Sequence, residues 1–162
     1  MGFWQNVIMS VLFGGIGAWM MYGVIKTRNK LKYKDKLWTL TRILFTASGV
    51  LLLLTAFAFT EVMDYVRLAA MMLAVAAYLL LRDGIGEEGF ASLGRWNDWS
   101  EVTGYDYRTE KEKLRLFFTV AEVKKNKKED YNVQITLESK DEAEIKAFLK
   151  QKIGKKYKRM RK

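Results

Sequence analysis

Three long apolar blocks fill the first half of the chain, and a polar stretch separates the first two. The blocks cover residues 7–25, 43–59 and 62–81, and the segment before the first block carries no charged side chain. An α-helix rises about 1.5 Å per residue, so roughly 20 apolar residues cross the hydrocarbon layer of a bilayer. The pattern predicts three transmembrane helices.

The third block is the weakest of the three because only residues 68–81 are free of charge. It reaches spanning length if Asp64 and Arg67 belong to its outer turn. These two residues are three positions apart, so they lie on one face of a helix and can form an ion pair near the membrane interface.

Positive charge between the blocks predicts the orientation of the helices. Residues 26–36 carry six Lys and Arg side chains, whereas the connection at residues 61–67 holds two acidic residues and no Lys. Short cytoplasmic loops are enriched in Lys and Arg. We therefore expect a multi-pass protein of the cell membrane with its N-terminus outside and everything after Arg82 in the cytoplasm.

The basic stretch has two interpretations. It marks the topology, or it lies on the anionic leaflet and recognises lipid or a partner, since Leu31, Tyr33 and Leu37 interleave with the charges. The candidate membrane-interface residues here are Lys30, Lys32, Lys34, Lys36 and Trp38.

Small side chains suggest where the helices pack. Ser10, Gly14 and Ala18 recur every fourth residue along the first block, so helix backbones can approach closely there. The third block offers Ala70, Ala74 and Ala77. These stripes either pack the three helices of one subunit together or mediate association with a second copy or another membrane protein.

After Arg82 the pattern changes to short alternating runs, which are typical of half-buried strands. Five strands are predicted at residues 84–88, 90–93, 102–108, 114–120 and 131–137, with a polar loop at 124–130. Ser139 and Glu142 have capping-box spacing and predict a final amphipathic helix. The basic tail at 155–162 is expected to be disordered or to lie on lipid.

The fold class predicted is therefore a three-helix membrane region plus an α+β module, in which one C-terminal helix covers a small antiparallel sheet or barrel. The expected boundaries are 1–82 for the transmembrane region, 83–151 for the cytoplasmic module and 152–162 for the tail. The glycine-rich segment 83–90 superficially resembles a phosphate loop, but it lacks the Gly-Lys-Ser/Thr ending and a following helix.

Two tryptophans follow the glycine-rich segment. In one interpretation Trp99 enters the core of the module. In the other, Trp96 and Trp99 form an aromatic anchor that docks the module on its own membrane, because Trp prefers the headgroup layer.

Composition excludes several kinds of chemistry. The chain has no Cys and no His, which excludes disulfides, thiolate catalysis, structural zinc of the usual kind and imidazole bases. Its acidic residues have no metal-ligand spacing, so a metal is not expected. A paired-carboxylate hydrolase is compatible with the residue types, but no specific pair stands out, and neither a cofactor nor an enzymatic activity is expected. A net charge of +10 is explained by cytoplasmic flanks, and nucleic acid is not expected as a partner.

The second half resembles a known family. A strand with Ile85 and Gly89, the segment Trp99-Ser-Glu-Val102, an alternating hairpin and a capped final helix after a membrane hairpin are similar to bacterial pleckstrin-homology-like domains. The resemblance implies a non-enzymatic interaction or scaffolding module at the inner leaflet, with membrane lipid or a protein as its partner. The alternative is an accessory or immunity-type subunit of an envelope transport or export complex.

Overall fold

A computed structural model describes residues 2–124 and 127–159, and the chain forms two compact units. The helical unit consists of Met1–Lys26 and Leu37–Leu81. The mixed unit consists of Thr27–Lys36 and Arg82–Lys162. Each unit is thus discontinuous in sequence, because residues 27–36 of the mixed unit lie between the two segments of the helical unit and residues 37–81 of the helical unit lie between the two segments of the mixed unit.

The helical unit contains the three apolar helices that the sequence predicts. Helix α1 spans Phe3–Thr27, α2 spans Leu40–Leu54 and continues as a 3₁₀ turn at Thr55–Ala58, and α3 spans Val62–Leu80. Each of these three apolar segments is long and apolar enough to cross a membrane. At the start of α2, Thr39 Oγ1 accepts a hydrogen bond from the backbone N–H of Arg42 and caps the helix.

Seven strands form two antiparallel sheets in the described part of the mixed unit. The first sheet has the order β1-β2-β3-β4 and the second β5-β6-β7. The strands are β1 Leu31–Lys34, β2 Gly84–Gly86, β3 Gly89–Ser92, β4 Arg95–Asp98, β5 Val102–Glu110, β6 Lys113–Lys124 and β7 Lys127–Glu138.

Strand β1 is the largest difference from the sequence prediction. It lies in the basic stretch between the first two helices and pairs antiparallel with β2, with Leu31 opposite Gly86 and Lys34 opposite Gly84. Residues 27–36 therefore belong with the C-terminal half, whereas the predicted boundary assigned them to the transmembrane region. Local patterning does not show this, because the pairing partner lies about fifty residues further along the chain.

The second sheet also differs from its prediction. The polar loop expected at residues 124–130 is wrong, because β6 continues to Lys124 and β7 begins at Lys127, opposite it. Residues 125–126 lie outside the described part. Strand β4 was not predicted. It is short, pairs antiparallel with β3, and is connected to β3 by a two-residue turn.

The C-terminal helix α4 spans Glu142–Ile153 and follows a 3₁₀ turn at Ser139–Asp141. The predicted capping box is wrong, since Ser139 lies in that turn and the Glu142 carboxylate instead accepts hydrogen bonds from Lys146 and from Thr109 Oγ1. After α4 the chain returns to β5, where the N–H of Lys158 donates to the carbonyl of Tyr105 at 3.0 Å. The tail is thus ordered up to residue 159, and residues 160–162 lie outside the described part.

The core of the mixed unit lies between the two sheets and α4. Phe90 of β3 stacks on Phe118 of β6 with ring centroids 4.4 Å apart, and both side chains are fully buried. The predicted apolar face of α4 is present, with Ile145, Phe148 and Leu149 buried against the sheets. Burial of these side chains is the main force that stabilises the unit.

Candidate functional site

The residues predicted to contact the membrane lie on and around β1. Alternation along the strand buries Leu31, half-buries Tyr33 and leaves Lys32 and Lys34 exposed. We call the side chains gathered here the β1 cluster; it consists of Lys30, Lys32, Tyr33, Glu87, Glu88, Trp96, Glu144, Phe148 and Lys152.

Carboxylates of the β2–β3 turn neutralise the lysines of the β1 cluster. Lys30 Nζ lies 3.7 Å from Glu88 Oε2, and Lys32 Nζ lies 3.2 Å from Glu87 Oε1. The second oxygen of Glu87 lies 2.7 Å from Lys152 Nζ of α4. Hydrogen bonds from Lys152 and then from Lys32 lower the pKa of Glu87, so this carboxylate ties β1 to α4.

Aromatic rings complete the β1 cluster. Lys30 Nζ lies 5.0 Å from the centre of the Trp96 ring, and Lys32 Nζ lies 5.1 Å from that of Phe148. Tyr33 meets Phe148 edge to face at 5.9 Å and donates a hydrogen bond to Glu144. Burial raises the pKa of the Tyr33 hydroxyl. These contacts join the edge strand β1 to α4 and explain why the basic stretch is folded.

Glycines of β2 allow β1 to approach. A Cβ atom added at Gly86 would lie 1.9 Å from the carbonyl oxygen of Lys30, and one added at Gly84 would lie 2.2 Å from that of Tyr33. Any larger side chain would push β1 away. The glycine-rich segment therefore allows β1 to pair with β2. Glycines within a short strand often mark a place where another backbone approaches closely, and they are the signal in the sequence that could have indicated β1 as a partner.

The two tryptophans lie in different environments. Trp99 is 8% exposed, contacts Phe90 and Phe118 in the core, and donates from Nε1 to the carbonyls of Gly86 and Glu87. Its ring is therefore not available to a headgroup layer. Trp96 is half-buried and donates from Nε1 to Asp98 Oδ1 at 2.8 Å.

The remaining interface candidates are exposed. The Lys34 side chain points to solvent, and so does that of Lys36. A hydrogen bond from Lys140 lowers the pKa of Glu138, and the charge of Lys36 adds to this effect. In the helical unit Trp38 is 58% exposed at the start of α2. Lipid contact by these residues stays a prediction.

Small residues do bring α1 and α3 together, although not all of those expected. A Cβ atom added at Gly14 would lie 3.8 Å from Cβ of Ala70, and one added at Gly17 would lie 2.9 Å from the backbone nitrogen of Ala74. Ala18 of the predicted stripe is exposed, and Gly17 takes its place at the contact. Packing within one subunit accounts for Gly14 and for Ala70 and Ala74.

A polar link continues the contact between α1 and α3 at their N-terminal ends. Asn6 is fully buried and donates from Nδ2 to Asp64 Oδ1 at 2.9 Å, and its amide oxygen accepts from Arg67. Asp64 and Arg67 also form the predicted i,i+3 ion pair at 3.5 Å. Ser10 donates to the carbonyl of Asn6 at 2.7 Å. Asn6 was not predicted as a packing residue; its signal is an amide side chain directly before the first apolar block.

A buried arginine lies at the other end of the helical unit, where α2 begins and α3 ends. Arg42, 7% exposed, donates to the carbonyl of Leu37 and, at 2.6 Å, to that of Leu81 after the end of α3. The Leu81 carbonyl at the C-cap of α3 is one that a helix terminus leaves without an intrahelical partner, and Arg42 satisfies it. This guanidinium joins the start of α2 to the end of α3.

A tyrosine cluster fixes the chain after α4. The Tyr157 ring lies 5.4 Å from that of Tyr105 and 5.6 Å from that of Tyr107. Burial, and next the charge of Asp106, raise the pKa of Tyr157. Asp106 is itself 3% exposed and accepts from the N–H of Tyr107. The cluster covers the edge of β5.

Metal-binding geometry is not found in the described residues, where no three His, Cys, Asp or Glu side chains come close enough to share an ion. The chemistry of the β1 cluster is ion pairing and cation–π contact. Because Lys30 and Lys32 each already face a glutamate, an anionic ligand would have to displace that glutamate in order to bind them.

Comparison with known proteins finds one family model that matches part of this chain. The model of a domain of unknown function, DUF5673, matches residues 81–154. No curated protein and no solved structure matches. The chain thus carries a DUF5673 domain after three apolar helices. The matched range covers β2 to β7 and α4, and it leaves out β1, which the mixed unit takes from the stretch between α1 and α2.

Proposed function

We propose that this chain is a bacterial integral membrane protein that presents a cytoplasmic pleckstrin-homology-like module at the inner leaflet and works as a non-enzymatic interaction module. The observation that carries this proposal is the pairing of β1 with β2. It makes the connection between the first two helices part of the same folded unit as the C-terminal half.

Pairing of β1 with β2 supports the orientation. Two strands of one sheet lie on the same side of a membrane, so the intervening chain, which contains α2 and α3, crosses an even number of times. Residues 26–36 carry the six Lys and Arg side chains of this connection, and such loops face the cytoplasm. The mixed unit is then cytoplasmic together with them.

Topology supports the pleckstrin-homology-like assignment. Residues 83–151 alone supply six strands, β1 supplies a seventh, and the C-terminal helix packs on the four-plus-three arrangement. A small antiparallel sheet or barrel covered by one C-terminal helix is what the resemblance implies. The two residues of the family pattern with the largest side chains, Ile85 and Trp99, are both in the core.

Short connections support a role at the membrane surface. Three residues separate α1 from β1, five separate β1 from α2, and three separate α3 from β2. A chain extends at most about 3.3–3.6 Å per residue. Three such tethers keep the connected ends of β1 and β2 within about 20 Å of the ends of the spans, which favours ligands at the membrane surface.

A test is crosslinking and affinity capture of the full-length protein from its native membrane, compared with the variant Gly86→Val, in which β1 is displaced. The matched control is Gly104→Ala, where the nearest atom to an added Cβ is in the flexible Lys158 side chain at 3.5 Å and the backbone oxygen of Lys156 lies at an ordinary 3.9 Å. We expect a partner that both the wild type and Gly104→Ala retain and Gly86→Val loses. A partner that persists in Gly86→Val contradicts recognition by the module.

The alternative function, an accessory subunit of an envelope complex, has one observation in its favour. A largely apolar cavity of about 460 Å³ lies among the three helices and is lined by Phe13, Leu44, Phe45 and Val75, among others. An apolar side chain of a partner helix fits such a space. Under this alternative, filling the cavity with Ser48→Phe removes the partner while Gly86→Val leaves it bound.

A further inference from the structure

The turn between β3 and β4 contains an unusual residue. Leu93 and Gly94 form a two-residue turn with φ angles of 50° and 78°. Turns of this kind favour Asn-Gly, because both central residues have positive φ and a bulky side chain rarely adopts it. Leu93 nevertheless occupies the first position and is 68% exposed at the tip of the hairpin. A polar residue would suit both the backbone and the solvent better.

A hydrogen bond fixes the position of this tip. The N–H of Leu93 donates to Asp83 Oδ1 at 2.7 Å, and Asp83 comes three residues after Leu80, the last residue of α3. At about 3.3–3.6 Å per residue, Asp83 lies within roughly 10 Å of the end of the span. The hairpin tip is therefore held next to Asp83, in the connection between α3 and β2.

The same end of the first sheet leads into α2. The N–H of Asp35 donates to the carbonyl of Asp83 at 2.8 Å, and Asp35 also pairs with Arg82. The glutamates of the β2–β3 turn lie at the opposite end of the sheet, because β2 and β3 are antiparallel. The Leu93 end is thus the end of the sheet nearest, along the chain, to two of the helices.

Two exposed cationic side chains lie at the same end of the sheet as the apolar tip. Arg95 follows the turn and is exposed, as is Lys34 on β1 at the same end of the sheet. The acidic groups of this end make internal contacts, Asp35 with Arg82 and Asp83 with the N–H of Leu93. An apolar tip with a basic rim is the pattern of side chains that enter the headgroup region of an anionic leaflet.

We propose that the β3–β4 hairpin is a membrane anchor, and that Leu93 inserts into the headgroup and upper acyl region of the cytoplasmic leaflet while Arg95 and Lys34 contact anionic headgroups. This inference rests on the proposed cytoplasmic orientation of the mixed unit. The anchor fixes which surface of the module faces lipid and which faces the cytoplasm.

Because the chain has no Cys, single labelling sites are available without other changes. We would compare Leu93→Cys with Ser100→Cys, an exposed position at the opposite end of the first sheet, each labelled with a nitroxide on full-length protein in nanodiscs of zwitterionic and anionic lipid. The label at 93 is expected to be accessible to oxygen and protected from a water-soluble nickel chelate, and the label at 100 the reverse. Equal accessibility to the chelate at both positions overturns the anchor.

The variant Leu93→Asn separates anchoring from folding. Asn suits the positive φ, so the thermal midpoint of the mixed unit is expected to be unchanged or higher. A label on Arg95→Cys is expected to be protected from the chelate and to become several-fold more accessible when Leu93→Asn is added. Accessibility that stays the same shows that Leu93 does not anchor the hairpin.

The orientation is checked with the same proteins. A membrane-impermeant thiol reagent is expected to modify Ser100→Cys in inverted vesicles and not in intact cells. If this result holds while the label at 93 lies in water, the anchor fails and the proposed orientation stands. Modification in intact cells overturns both.

Discussion

The two units of this protein bury apolar side chains to very different extents. In the mixed unit Leu116 and Phe118 are completely buried, whereas in the helical unit Leu51 is 64% exposed and Phe57 90% exposed. Water drives the burial in the mixed unit. In the proposed membrane setting, lipid tails are as apolar as a neighbouring helix, so the helices would rely on close contact at small residues and on internal hydrogen bonds.

Each unit accordingly depends on a different kind of short segment. The mixed unit needs β1 to cover Ile85 and to give α4 a surface, and Gly84 and Gly86 make room for it. The helical unit needs the polar link of Asn6 to join α1 to α3. Neither β1 nor Asn6 is conspicuous in the sequence.

The largest expected effect comes from displacing β1. In Gly86→Val, the added side chain overlaps the carbonyl of Lys30, so β1 cannot pair and the mixed unit is expected to lose its cooperative unfolding transition. The helical unit does not contain this contact and should keep its helical circular dichroism. Limited proteolysis of the purified protein measures the first effect, and Gly104→Ala is the control. A variant with wild-type protease resistance contradicts the role assigned to β1.

Identical truncations in the two units should have unequal effects. Leu116→Ala removes a fully buried side chain, and such changes cost about 2–5 kcal/mol of unfolding free energy. Leu51→Ala removes a side chain that is 64% exposed and is expected to cost about 0.5 kcal/mol or less. Denaturant or thermal unfolding in a mild detergent compares the two. Similar losses would show that the helical unit has a core of its own.

The polar link is expected to contribute a smaller amount. Buried hydrogen bonds between membrane helices average about 0.6 kcal/mol in double-mutant cycles and reach about 1.7 kcal/mol. A cycle of Asn6→Ala and Arg67→Ala, followed by unfolding in detergent, should give a coupling in this range. Gln5→Ala, an exposed amide one position away, serves as the control and should show no coupling with Arg67→Ala.

The smallest effect concerns the pH dependence of the β1 cluster. Lys152 and Lys32 lower the pKa of Glu87 in the folded state, so the stabilisation is present above the ordinary value of 4.5 and is lost as the pH falls below it. The thermal midpoint of Glu87→Gln should therefore fall less steeply than that of the wild type as the pH is lowered from about 5 to about 3. The difference between the two should shrink when Lys152→Met is added. An unchanged slope contradicts the bridge between β1 and α4.

Periodic features of the chain were predictable because burial repeats locally. The three apolar helices, the strands of the second sheet and the buried face of α4 all follow from spacing along the chain. The pair Asp64 and Arg67 was predictable as well, since i,i+3 neighbours share a helix face. The capping box at Ser139 failed because a 3₁₀ turn takes the place of the first helical turn.

By itself, the sequence determined that three apolar helices precede a domain of alternating strands, because hydrophobic periodicity is written over neighbouring residues. Only the tertiary structure decided that Leu31–Lys34 is a strand of that domain, that Asn6 links two helices, and that Trp99 is in the core. The reason is physical: a strand edge, a buried amide and a ring in a core are stabilised by partners far away along the chain, and no local pattern specifies those partners.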